Sequence, residues 1–61
     1  MNDAELDPLY THLCRTMTDL GESNSTLFLA RFALLAMARI GDAAIVRELV
    51  AAAAQGLPQN V

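Results

Sequence analysis

Between Leu27 and Ile40 the chain carries fourteen residues, of which only Arg31 and Arg39 are polar. A run of that length without Gly or Pro reads as a helix, and a helix that is apolar almost all round is normally enclosed by protein. The whole chain has 61 residues, room for one domain and for two further helices, which can cover about two sides of the first. That mismatch predicts an exposed apolar patch or a partner surface on the Leu27–Ile40 helix. The alanines at 30, 33, 36 and 38 would let a partner helix approach closely.

Size sharpens the point. Surface scaling gives a closed fold of this mass about 3,900 Å² of accessible surface and an unfolded chain roughly 9,600 Å². At that size apolar burial and the entropy of ordering the chain roughly cancel. Disulfides, a metal or association are the usual remedies. Cys14 is the one cysteine and His12 the one histidine, so neither an internal disulfide nor a His/Cys zinc site can be assembled from one chain. Association with another chain is the remaining route.

Punctuation divides the chain into three helices, at about 4–20, 26–40 and 43–55, followed by a tail at 56–61. In the first, Leu6, Leu9, Tyr10, Leu13, Cys14, Met17 and Leu20 recur at helical spacing and fill an arc of about 140°. Its start is open between an Asp7–Pro8 cap pair and an earlier cap at Asp3. Gly21 ends it, the segment 21–24 connects, and Asn24 or Ser25 caps the second helix. Gly41 ends the second helix and Asp42 caps the third, whose apolar face is Ile45, Val46, Leu49, Val50, Ala52 and Ala53. Gly56-Leu57-Pro58 is a stop, and Gln59, Asn60 and Val61 form a frayed tail. The expected fold is all-α, a three-helix hairpin or bundle completed by a second chain.

Catalytic chemistry is hard to place on this pattern. A cysteine nucleophile needs a nearby base, but Cys14 and His12 lie about 160° apart on one helix. Cys14 fits the edge of the apolar arc as a small hydrophobe, and His12 fits the polar face. Asp3, Glu5 and Asp7 sit at a helix start, where negative charge complements the helix dipole. No glycine-rich phosphate loop is present. No catalytic, cofactor-binding or metal-ligating residue is therefore expected. The chain has a net charge of −3 and no lysine, a poor basis for gripping phosphates, so no nucleic-acid partner is expected. The helix–Gly turn–helix at 41 does not alter this, because its second helix offers one base, Arg47, beside one acid, Glu48. The apolar run is short of the roughly 20 residues that span a bilayer, and the acidic N-terminal stretch lacks signal-peptide features. A bacterial cytoplasmic location without membrane partners is the expectation.

Arg31 and Arg39 form the one constellation of interest, about 80° apart with Leu35 and Phe28 in the wedge between them. They are either snorkelling side chains or interface anchors facing acids on a partner. The candidate partner-binding residues are Leu27, Phe28, Arg31, Leu35, Ala38 and Arg39. The opposite side carries Leu29, Ala33, Ala36, Met37 and Ile40.

The run from Leu27 to Ala36, followed by Arg39-Ile40-Gly41-Asp42 and preceded by Leu9-Tyr10 and Leu13-Cys14-Arg15, resembles a short proteobacterial family, domain of unknown function 2783. The resemblance covers residues 3 to 54, with Pro8 departing from the pattern. That family has no assigned activity, so no catalytic residue is carried over. Its members tend to be encoded beside flavin-dependent aromatic hydroxylases, which implies an accessory role near such an enzyme. The expected function is a small non-enzymatic helical interaction module, an accessory or stabilising subunit of a larger enzyme. The alternative is a stand-alone homodimeric bundle of structural or regulatory role.

Overall fold

A computed structural model describes residues 1–59. It consists of three α-helices, α1 (Asp3–Leu20), α2 (Glu22–Ile40) and α3 (Ala43–Ala54), with no strand among the described residues. Fold class and helix number are those expected.

Helix α1 begins earlier than either cap proposed for it. Asn2 is extended and its side chain accepts the Glu5 N–H at 3.0 Å, so Asp3 and Glu5 occupy the first turn, where the dipole favours them. Pro8 then lies inside the helix. It has no N–H to give the Ala4 carbonyl.

The joint between α1 and α2 is one residue long, where a four-residue connection was expected. Gly21 has φ 88° and ψ 160°, a region essentially confined to glycine. Its N–H closes α1 onto the Met17 and Thr18 carbonyls, and α2 begins at Glu22. Asn24 and Ser25 are therefore not the N-cap. Asn24 donates through its side-chain amide to the Leu20 carbonyl at 3.1 Å, and Ser25 through its hydroxyl to the Gly21 carbonyl at 3.0 Å. Both donate to carbonyls behind them, rather than accepting from amides ahead.

The second joint follows expectation. Gly41 is left-handed (φ 68°, ψ 13°) and its N–H bonds the Met37 carbonyl. Asp42 Oδ1 accepts from the Ala44 and Ile45 amides at 3.0 and 3.1 Å. Helix α3 stops at Ala54, one residue short of the expected end, because Gln55 is extended. Gly56 has positive φ and the Leu57 amide bonds the Ala54 carbonyl. Asn60 and Val61, expected as part of the tail, lie outside the described residues.

The three helices do not close on one another. Among the described residues, no pair twelve or more positions apart has Cα atoms within 8 Å. Helices α1 and α2 meet only beside Gly21, and α2 and α3 only beside Gly41. No described residue is buried. The apolar stripes of α1 and α3, which a closed trio would bury, stay open because each joint splays its pair of helices apart. The radius of gyration is 13.3 Å, against about 10.5 Å for a compact domain of this length. The accessible surface is 5663 Å², about 1,800 Å² more than a closed fold of this mass would show.

Candidate interaction surface

Helix α2 is the middle element and has three differently covered sides. Phe28 and Phe32 line a space shared with α1, and Ser25 bonds back to it, while Met37 lines a depression with Ala43, Val46 and Arg47 of α3. Ser25, Phe28, Ala33 and Ala36 are half-buried, and Leu29 and Met37 are less exposed than α2's other large aliphatic side chains. The side that carries Leu29, Ala33, Ala36 and Met37 is the better covered one. The remaining arc, Leu27, Arg31, Leu34, Leu35 and Ala38, is open. Leu34 and Leu35 are exposed to 66% and 69%, the largest values on α2's big apolar side chains.

Four of the six candidate partner residues, Leu27, Arg31, Leu35 and Ala38, share this open strip. Phe28 does not belong to it. It is half-buried and lines the space between α1 and α2. Arg39 is exposed and sits toward the Phe28 side, about 80° from Arg31. Leu34 was missed, although its place seven residues after Leu27 and three after Arg31 puts it on the same strip.

A second apolar feature was not expected. Because α1 and α2 diverge from Gly21, a groove of about 480 Å³ opens between them, lined by Leu6, Leu9, Tyr10 and Leu13 from α1 and by Phe28 and Phe32 from α2, with His12 and Thr16 at its rim. Leu6, Leu9 and Phe32 remain about half exposed. The sequence signal for the groove is the α1 stripe that carries Leu6, Leu9, Tyr10 and Leu13, whose cover depends on the angle between the two helices.

His12 and Cys14 stay apart. His12 is exposed on the groove rim, whereas Cys14 is half-buried in a separate depression with Met17, Thr18 and Ser25. Cys14 also stands one turn from Tyr10. Its hydrogen bond to the phenol, and then its electrostatic repulsion of a phenolate, hold Tyr10 above its ordinary pKa. Thr16 and Thr18 donate their hydroxyls to the carbonyls of His12 and Cys14, at 2.9 and 3.1 Å. Among the described residues, no three His, Cys, Asp or Glu side chains gather where they could hold a metal. No described helix is long and apolar enough to cross a membrane.

A family model described as a protein of unknown function (DUF2783) matches residues 1–55. Comparison with curated proteins and with solved structures gives no match.

Proposed function

The chain belongs to the DUF2783 family of proteins of unknown function, and from that premise we propose that it is a non-enzymatic interaction module, an accessory or stabilising subunit of a larger enzyme. The observation that carries this reading is the open strip of α2, where Leu27, Leu34 and Leu35 stand 52%, 66% and 69% exposed around Arg31. An apolar strip with a guanidinium at its centre suits a partner surface that is largely aliphatic and carries a carboxylate. The larger enzyme implied by the family resemblance is a flavin-dependent aromatic hydroxylase of the bacterial cytoplasm. Co-expression of the two chains followed by affinity capture tests the reading. Co-purification that is lost with Leu35→Glu and kept with Ala51→Glu supports it. No co-purification, together with an unchanged melting temperature of the hydroxylase, overturns it.

A second reading, self-association into a homodimeric bundle, is favoured by a different observation. Each chain exposes about 1,800 Å² more than a closed fold would. Two chains covering that excess in each other would remove about 3,600 Å² in total, within the range of obligate dimers.

A further inference from the structure

We infer that two copies of this chain associate by reciprocal exchange of α3, each α3 laying its apolar face into the α1–α2 groove of the other copy. The inference rests on the second reading above and adds which segments meet. The groove offers Leu6, Leu9 and Leu13 on one wall and Phe28 and Phe32 on the other. Helix α3 offers Ile45, Leu49 and Val50, exposed to 46%, 52% and 55%, along one face at helical spacing.

Its own chain cannot bring the two together in this arrangement. Helix α3 leaves α2 at its Gly41 end, where Met37 lies beside Ala43 and Val46, whereas Phe28 and Phe32 lie two turns or more back along α2. It touches α2 only beside Gly41, and none of its Cα atoms comes within 8 Å of one in α1. A second copy related by a two-fold axis presents a free α3 to the groove and receives one in return, so the contact closes with two chains and leaves no unpaired face to propagate. The 12 residues of α3 span about 18 Å, enough to run along the two-turn α1 wall from Leu6 to Leu13. Twice the excess surface of one chain matches the area that a stable dimer of this kind removes from water. The outer strip of α2 takes no part, so a dimer keeps Leu27, Leu34 and Leu35 available.

The test places cysteines on the two partners, Leu9→Cys and Leu49→Cys, in a full-length Cys14→Ser background. Under mild oxidation the exchange gives a disulfide-linked dimer on a non-reducing gel, while pairing Leu9→Cys with Ala51→Cys gives at least ~10-fold less. An intrachain disulfide, or no disulfide, overturns the inference. Light scattering supplies the independent measurement. Leu9→Asp and Leu49→Asp each raise the dimer dissociation constant by ~100-fold or more, because each sets a carboxylate in an apolar contact. Mixing the two variants restores dimer, since the mixed pair retains one intact groove filled by one intact α3. No recovery on mixing overturns the exchange. A monomer by light scattering that still co-purifies with the hydroxylase through Leu35 overturns the exchange and leaves the accessory-subunit reading standing.

Discussion

Ser25 of α2 reaches back across the joint to the Met17 carbonyl of α1, 3.5 Å from its hydroxyl, while it donates to the Gly21 carbonyl at 3.0 Å. One side chain thus ties the first turn of α2 to the last turn of α1. Ser25→Ala removes that tie. Both carbonyls keep backbone partners, the Asn24 amide for Gly21 and the Gly21 amide for Met17, so no acceptor is stranded. The expected loss is about 0.5–1 kcal/mol, read as a lowered urea midpoint with an unchanged slope.

Substitution at the two glycine joints separates two kinds of backbone requirement. Gly21 lies at φ 88°, ψ 160° and Gly41 at φ 68°, ψ 13°. A Cβ would meet nothing within 4 Å at Gly21 and only the Ala38 carbonyl at 3.9 Å at Gly41, so the cost at both is conformational. Asn tolerates the left-handed region but not the extended positive-φ region of Gly21. Gly41→Asn is therefore milder than Gly41→Ala. Gly21→Asn and Gly21→Ala are equally damaging, about 1–3 kcal/mol each. Thermal melts followed by far-ultraviolet circular dichroism distinguish the two patterns.

Asp42→Ala strands the Ala44 and Ile45 amides that its carboxylate now accepts. About 1 kcal/mol of stability is expected to go with it. Asp42→Asn retains the acceptor oxygen and most of the stability. Equal melting temperatures for the two variants would contradict the capping role.

Tyr10 is the one tyrosine and the chain has no tryptophan, so its ionisation can be followed by ultraviolet absorbance alone. Cys14→Ala removes the hydrogen bond and the charge that hold the phenol up, and the titration midpoint falls toward the ordinary tyrosine value. The native contact favours the neutral phenol. Its contribution to stability is whole below about pH 10, the unfolded tyrosine value, and is lost as pH rises through the higher folded value. A midpoint that does not move on Cys14→Ala would rule out this coupling.

The two halves of the fold were unequally legible in the sequence. Gly41-Asp42 is local chemistry of one meaning, a left-handed stop followed by a carboxylate start, and the structure follows it residue by residue. Asn24 and Ser25 are ambiguous by nature. Short polar side chains can accept from amides ahead or donate to carbonyls behind, and a helix ending at Leu20, four residues before Asn24, decided for the second. The splay at Gly21 was not legible at all, because the composition of two helices does not state the angle at which a single glycine joins them. The open strip of α2 was readable through Leu27, Arg31, Leu35 and Ala38, since their placement depends only on helical period. Phe28 lies off that strip and lines the groove instead, which the sequence did not foretell. Its side of α2 could be placed on the wheel, but its exposure depends on where α1 lies.

The purely local character of the contacts has a kinetic consequence. With no Cα pair beyond eleven residues approaching within 8 Å, a single chain has no large loop to close before its helices form, and helix formation and short-loop closure take about a microsecond or less. Refolding should therefore divide into two regimes, a helix-forming phase faster than stopped-flow mixing and independent of protein concentration, and a slower phase whose rate rises with concentration because it is the encounter of chains.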